Sequence, residues 1–225
     1  MVTVAVVKID YNEGLPSNMA GLKRDEAGRP VPYFVEWIDG KPDFRIMSSS
    51  HLKAAIRGKL CWVCGKPLFA YVTFTAGPMC LVNRNSAEPP SHYECAEYSA
   101  THCPFLVNPN KERREANMPA EPKEPAGIMI SRNPGVTCLV TVKSWTPYLQ
   151  GSGVLFEMGT KRLSGPYHIE RVDWFAESRR ATREEVQASI DSGIPLLAEV
   201  CEGDQLALAQ LERQVKSVER WLPDA

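Results

Sequence analysis

Residues 61–67, with the sequence CWVCGKP, and residues 91–95, with the sequence SHYEC, determine the predicted fold of the first half of this chain. In the first stretch, Cys61 and Cys64 flank a tight turn whose glycine lets the backbone fold so that amides point toward sulfur, which is the pattern of a zinc knuckle. A redox-active cysteine pair of the same spacing usually begins a helix, where the helix dipole lowers the thiol pKa. Here the following glycine and proline favour a turn that leads into a strand.

The second stretch places two more candidate ligands on a helix. Ser91 stands where its hydroxyl can cap a helix that runs toward His102. His92 and Cys95 are three residues apart, so both side chains project from one face of the first helical turn. The spacing therefore predicts an imidazole and a thiolate side by side at the beginning of the helix.

The segment between the two stretches predicts a β-hairpin. Residues 69–74 favour a strand, Gly77-Pro78 favours a turn, and residues 79–82 favour a returning strand. A knuckle, a hairpin and a ligand-bearing helix in this order form a treble clef. The sequence thus predicts a treble-clef zinc-binding module over about residues 60–106.

Zinc is the ion that these residues fit best. Three thiolates and one imidazole close a tetrahedron of borderline-soft ligands and leave no coordination position open, so the site is expected to be structural. The alternative is a group of buried cysteines without a metal. The predicted ligands are Cys61, Cys64, His92 and Cys95, and the nearby residues that could replace one of the last two are Cys80, His102 and Cys103.

The N-terminal part of the chain predicts a strand, a hairpin and a short helix. Residues 2–9 are apolar and β-branched enough for a buried strand. Residues 33–38 and 44–47 flank Asp39-Gly40, a dipeptide typical of a two-residue hairpin turn because both positions must tolerate positive φ. A run of serines then caps a helix over residues 51–57, and a glycine follows it.

The C-terminal part predicts an antiparallel sheet and helices, which makes the fold class α+β. Thr182 and Glu185 have the spacing of a capping box, which begins a helix. Gly193 is expected to end that helix and Pro195 to begin a second one. An apolar stripe over residues 206–222 predicts a last helix that packs on the sheet. The expected strands are 128–131, 136–145, 154–158 and 172–176.

Composition shifts divide the chain into two predicted regions. Residues 1–107 hold the N-terminal strand and hairpin together with the zinc module. Residues 108–126 combine four prolines with several charged residues and predict an exposed linker. Residues 127–225 hold the antiparallel strands and the C-terminal helices.

Bulk composition excludes some classes of protein. The 225 residues include 26 Lys and Arg against 27 Asp and Glu, so net charge gives no argument for a dedicated nucleic-acid coat or a membrane-surface binder. No apolar run approaches the roughly 20 residues of a membrane span, and the first residues lack the basic start and cleavage site of a signal peptide. We therefore expect a cytoplasmic protein without a membrane partner. Its seven cysteines cannot all pair, because their number is odd, and a reducing compartment does not favour disulfides, so we expect no disulfide framework.

Charge is distributed unevenly along the chain. Residues 51–115 carry eight basic residues and five carboxylates, whereas residues 166–225 carry seven basic residues and twelve carboxylates. A mildly basic zinc module suits contact with phosphates or with an acidic partner, although solvated surface charge is the simpler reading. The candidate binding residues are Lys66, Asn83, Arg84, Asn85 and Glu88. The Asn and Ser residues of this loop could equally satisfy the loop's own backbone.

Six segments resemble a family of uncharacterised bacterial and phage-encoded proteins, and the resemblance covers most of the chain. It implies a zinc-containing intracellular protein, and the phage association implies an accessory role or an interaction with a host component. The segments are PVPYFVEWIDGKPDFR (30–45), KLCWVCGKPL (59–68), GPMCLVNR (77–84), EPPSHYECAEY (88–98), CPFL (103–106) and GIMISRNPGVTCLV (127–140).

Two enzyme classes share part of this pattern. HNH nucleases use a treble clef, but their general base is a histidine near the hairpin, and no histidine lies between Cys64 and His92. Zinc deaminases contain His-x-Glu, which His92 and Glu94 match, but their Cys-x-x-Cys follows the histidine instead of preceding it. The sequence therefore favours a non-enzymatic recognition or adaptor protein acting on nucleic acid or a host protein, with a metal-dependent nucleic-acid enzyme as the alternative. No small-molecule substrate is indicated.

Overall fold

A computed structural model describes residues 9–109, 133–151, 153–159 and 168–224 of the chain. It is an α+β protein with small antiparallel sheets and C-terminal helices, as predicted. The strands are β1 (Val35–Ile38), β2 (Lys41–Met47), β3 (Val72–Ala76), β4 (Asn85–Ser86), β5 (Thr137–Val142), β6 (Trp145–Gln150), β7 (Gly153–Met158), β8 (Ile169–Ala176) and β9 (Arg179–Arg180). The helices are α1 (Ser49–Gly58), α2 (Pro78–Asn83), α3 (Tyr93–His102), α4 (Arg183–Val200) and α5 (Gln205–Val218), and a 3-10 turn (Glu219–Trp221) follows α5.

The first hairpin agrees with the sequence, and the helix after it is present, but Ser48 at its N-cap makes no side-chain capping hydrogen bond and Gly58 does not end it. β1 and β2 pair antiparallel, with Ile38 opposite Lys41, so the turn consists of two residues. Those residues, Asp39 and Gly40, have φ values of 49° and 76°, as a tight hairpin turn requires. α1 then extends through Gly58 and ends on Lys59 in the left-handed conformation. This helix leads directly into the first cysteine pair.

A four-stranded antiparallel sheet in the order β3-β5-β8-β9 forms the centre of the fold. β3 comes from the predicted first region, and β5, β8 and β9 come from the second. Buried side chains from both regions, Phe74 and Val140 among them, belong to one hydrophobic cluster. Sheet and core thus cross the predicted boundary at residues 108–126.

The returning strand predicted over residues 79–82 is wrong, because this segment is helix α2. Pro78 occupies the first turn, where its missing N–H is not needed and its φ suits a helix. Leu81 and Val82 are fully buried in the core of the four-stranded sheet. β3 therefore pairs with β5, which is more than 60 residues away, instead of forming a local hairpin.

A three-stranded antiparallel sheet in the order β4-β7-β6 contributes Phe156 and Met158 to the same core. β6 and β7 form a hairpin in which Gln150 faces Gly153, and Trp145 packs on Phe156 with ring centroids 5.8 Å apart. The predicted strand 136–145 thus divides between β5 and β6, which belong to different sheets.

The C-terminal helices confirm one prediction and correct another. The capping box is complete: the Glu185 amide donates to the Thr182 hydroxyl at 3.3 Å, and the Thr182 amide donates to the Glu185 carboxylate at 2.8 Å. The predicted break at Gly193 and Pro195 is wrong, because α4 continues to Val200. A side chain at Gly193 would meet Met79 at 2.7 Å, so this glycine allows close packing against α2 and does not end the helix.

Some predictions fall outside the described residues. These are nearly all of the strand 2–9, the strand 128–131 and nearly all of the linker 108–126. Within the described ranges, no helix combines the length and apolar character needed to cross a lipid bilayer.

Candidate metal centre

Three thiols and one imidazole converge in the interior of the protein. The ligand atoms of Cys61, Cys64, His92 and Cys95 all lie within 4.8 Å of one another, and all four residues are buried. The Nδ1 atom of His92 lies 3.4 Å from the Cys64 sulfur and 3.9 Å from the Cys95 sulfur. Sulfur and nitrogen ligands of a tetrahedral zinc ion are about 3.6 Å apart, given bonds of about 2.3 Å and 2.1 Å. The cluster is compatible with a metal ion.

The first cysteine pair lies on a turn closed by backbone hydrogen bonds. The Cys61 amide donates to the Lys66 carbonyl at 2.8 Å, and the Gly65 amide donates to the Cys61 carbonyl at 2.8 Å. Leu60 and Pro67 form an antiparallel bridge that holds the two ends of the turn together. The Cys64 amide points at the Cys61 sulfur, 3.4 Å away. These contacts hold both cysteines on one closed turn.

Gly65 is the position in this turn that accepts no other residue without strain. Its φ is +72°, and a Cβ there would lie 2.7 Å from the Tyr33 ring. Tyr33 is held in place because its amide donates to the Val63 carbonyl at 2.7 Å and its ring stacks on His51 at 4.2 Å. The knuckle and the N-terminal hairpin region therefore pack tightly on each other.

The second ligand pair sits at the beginning of α3, but the cap differs from the prediction. The N-cap is His92, not Ser91, and its side chain makes no capping hydrogen bond. Ser91 exchanges two backbone hydrogen bonds of 2.8 Å with Thr73 on β3, which keeps it extended. Because the N-cap residue is also extended, the His92 ring turns toward the cysteines, and Cys95 follows three residues later on the same side.

A hydrogen bond from the His92 nitrogen that points away from the cysteines orients the ring. Nε2 lies 2.9 Å from the Pro67 carbonyl oxygen. A carbonyl only accepts, so Nε2 is the donor in this contact, and Nδ1 is the ring nitrogen that faces the cysteines. Metal-ligating histidines are oriented in the same way, by donating from the other nitrogen to a backbone carbonyl or a carboxylate.

Hydrogen bonds within the cluster shift the pKa of the Cys61 thiol in the opposite direction from those of Cys64 and Cys95. The thiols of Cys64 and Cys95, with the backbone amides of Cys64 and His92, hold the pKa of the Cys61 thiol well below its usual range. The hydrogen bond to Cys61 raises the pKa of Cys64 to about 11, and hydrogen bonds to Cys61 and Cys64 raise the pKa of Cys95 as well. The Cys61 sulfur is thus the centre of this cluster.

An apolar shell closes the cluster off from solvent. Met19 and Tyr98 are buried against the cysteines, and Leu15, Leu22 and Leu68 pack around them. Met19 and two of these leucines belong to the segment before β1, which no sequence argument placed here. Tyr98 anchors that segment by donating from its hydroxyl to the Tyr11 carbonyl at 2.8 Å.

The residues considered as substitute ligands lie elsewhere. His102 stacks on the Tyr98 ring with centroids 4.1 Å apart, and its Nδ1 lies 2.8 Å from the Thr101 hydroxyl. Cys103 ends α3, and Cys80 lies within α2. None of the three belongs to the Cys3His group found among the described residues.

Most of the polar groups of the loop predicted as a binding surface form hydrogen bonds within the protein. Arg84 is only 6% exposed and donates to the Ser217 hydroxyl at 3.1 Å, so it is not presented at the surface. The Asn85 side-chain amide donates to the Asn83 backbone carbonyl at 2.9 Å, and the Glu88 backbone amide donates to the Ser86 hydroxyl at 3.0 Å. These hydrogen bonds match the alternative in which the Asn and Ser side chains of the loop bond the loop's own backbone. Lys66 lies apart from this loop, exposed on the knuckle.

An exposed ring beside the Cys3His cluster was not singled out from the sequence. Phe69 is 70% exposed, and its ring centroid lies 4.9 Å from that of His92. Residues 69–74 suggest only a strand, in which aromatic residues are ordinarily packed, and the chain at Phe69 precedes β3. The signal that could have drawn attention to it is its position two residues after the knuckle.

Comparisons with protein-family models, with curated proteins and with solved structures found no match to this chain.

Proposed function

We propose that Cys61, Cys64, His92 and Cys95 bind one structural zinc ion and that the protein acts by recognition of a macromolecule, not by catalysis. The observation that carries this proposal is the complete, buried Cys3His set with its ligand atoms within 4.8 Å of one another. Four protein ligands fill the tetrahedron that zinc prefers, so no position remains for an activated water.

The choice of zinc rests on the chemistry of the donors. Three thiolates and an imidazole suit a borderline-soft ion without geometric demands of its own, and carboxylate-preferring ions such as magnesium or calcium are disfavoured. The knuckle and the N-terminus of α3 supply two ligands each, as in a treble clef. Helix α2 occupies the place of that motif's returning strand, so we propose a treble-clef-like module with a helical connection.

The positions of two other residues argue against the enzyme alternatives. Glu94, the residue that a deaminase would need beside its metal, is exposed and accepts a hydrogen bond from Asn18 at 3.0 Å. His102, which lies on the same helix as Cys95, is stacked on Tyr98. Neither Glu94 nor His102 is therefore placed to act as a general acid or base next to the metal.

The biological setting follows from the resemblance described above. We propose a cytoplasmic protein with a phage or prophage association, in which the zinc module positions a surface for nucleic acid or a host protein. The zinc ion would act at a distance from the partner, by holding the knuckle and α3 in a fixed relation.

Assays of turnover test the non-enzymatic part of this proposal. We expect zinc-loaded protein to leave single-stranded and double-stranded DNA, RNA and their cytosine and adenine bases unchanged, because the closed site binds no water. Gel electrophoresis and mass spectrometry of the recovered strands measure cleavage and deamination. Turnover that survives repurification and is abolished by Glu94→Gln, but not by the matched variant Glu97→Gln, would show that the site is catalytic.

A further inference from the structure

The segment that carries the knuckle has cations but no carboxylates. Residues 51–87 contain no Asp or Glu. Four of its basic residues are exposed, and none of them forms an ion pair with a carboxylate of the described residues. They are Lys53, Arg57, Lys59 and Lys66. This contrasts with Arg171 on β8 and with Arg179 and Arg180 on β9, which all form ion pairs with nearby acidic side chains.

The backbone of the knuckle holds these cations close together. Leu60 and Pro67 face each other across an antiparallel bridge, and the Leu68 amide donates to the Lys59 carbonyl at 2.9 Å. Lys59 and Lys66 therefore each lie one residue from the same bridge. Arg57 belongs to the last turn of α1, directly before this ladder. The predicted metal ligands Cys61 and Cys64 lie within the same turn, so metal binding would fix the spacing.

Two exposed aromatic side chains follow these cations in the sequence. Phe69 is 70% exposed beside His92, and Tyr71, two residues later, is 50% exposed. The Lys143 ammonium lies 5.1 Å from the centroid of the Tyr71 ring and 3.3 Å from the Glu170 carboxylate. The contact with Lys143 orients the Tyr71 ring. Solvent-exposed rings that follow unpaired cations on one short segment are the combination that stacks unpaired bases while neutralising their phosphates.

We propose that this surface, the knuckle face formed by Arg57, Lys59, Lys66, Phe69 and Tyr71, binds single-stranded nucleic acid. The proposal rests on the function proposed above and names its partner class. A duplex would hide its base faces from the two rings, and an acidic peptide would use the cations but gain little from the rings. The combination of both features therefore favours an unpaired strand.

Fluorescence anisotropy on the full-length, zinc-loaded protein tests this proposal. The probes are labelled pyrimidine DNA and RNA strands of about 12 nucleotides, the matching duplexes and a polyglutamate peptide of equal charge. We expect both single strands to bind more tightly than their duplexes. If about three phosphates are neutralised, a plot of the logarithm of the association constant against the logarithm of the salt concentration should have a slope of about −2.

Matched variants separate the contributions of the rings and the cations. Phe69→Ala combined with Tyr71→Ala should weaken strand binding by about 5-fold or more, and Lys59→Gln combined with Lys66→Gln should weaken it and lower the salt slope. The controls, Leu149→Ala for an exposed apolar residue and Lys216→Gln for an exposed lysine on α5, should leave affinity unchanged. Circular dichroism and zinc content of every variant confirm that it is folded.

Three results would overturn the proposal. These are absence of strand binding at low salt, equal or tighter binding of the duplex, and polyglutamate binding that matches strand binding and is insensitive to the ring variants. Each leaves the zinc and recognition proposal standing if the same sample contains one zinc per chain and shows no turnover. A sample without zinc would count against that earlier proposal, and strand binding by it would show that the knuckle face does not depend on the metal.

Discussion

Replacing Cys61 by Ser is expected to abolish metal binding and to lower the free energy of unfolding by several kcal/mol. Cys61 is fully buried, and its sulfur receives the Cys64 and His92 amides at 3.4 Å each. The loss of one ligand removes a large share of a structural site's binding energy, which is folding energy when the site exists only in the folded state. Chemical unfolding with and without added zinc, together with elemental analysis, measures both effects.

Cys201→Ser is the matched control for that variant. Cys201 lies at the end of α4 and outside the Cys3His group. We expect it to keep one zinc per chain and to change stability by less than about 1 kcal/mol, as most substitutions away from buried features do. If Cys61→Ser and Cys201→Ser unfolded alike and held equal amounts of zinc, Cys61 would not be a ligand.

The Gly65→Ala variant is expected to lose about 3 kcal/mol of stability and to bind zinc more weakly than the wild type. A non-glycine residue at φ of +72° costs about 1–2 kcal/mol. The new Cβ would also lie 2.7 Å from the Tyr33 ring, which is fixed by its backbone hydrogen bond and by stacking on His51. The turn must therefore open, which moves Cys64 away from the other ligands.

Gly40→Ala separates the two costs. Gly40 has a similar φ of +76°, but a Cβ there would meet no atom within 4 Å. We expect this variant to show only the backbone cost, with zinc affinity unchanged in a competition titration against a chromophoric chelator. Equal destabilisation by both substitutions, with equal zinc affinity, would contradict tight packing of the knuckle on Tyr33.

The local features of the fold were predictable because neighbouring residues determine them. The two-residue turn at Asp39-Gly40 depends on φ, and the capping box at Thr182 depends on hydrogen bonds within four residues. The ligand pairs follow the same logic, since each pair lies within a single turn of chain. That the two pairs meet was an inference from the order of knuckle and helix, and the structure does bring them together.

The failures share a physical cause in long-range packing. Residues 79–82 have strand-forming side chains, but Leu81 and Val82 gain more by burying one face of a helix against α4 and α5 than by pairing beside β3. Gly193 favours a helix end by itself, yet it provides the space that Met79 occupies. Arg84 has the charge of a surface ligand, but its position beneath α5 could not be read from its neighbours in sequence.

X-ray absorption spectroscopy at the zinc edge, on protein purified without chelator, would show whether Cys61, Cys64, His92 and Cys95 bind zinc. We expect one zinc per chain with three sulfur ligands at about 2.3 Å and one nitrogen ligand at about 2.0–2.1 Å, and no oxygen ligand. Absence of zinc from the purified protein, or a coordination shell that includes oxygen in place of sulfur or nitrogen, would contradict it.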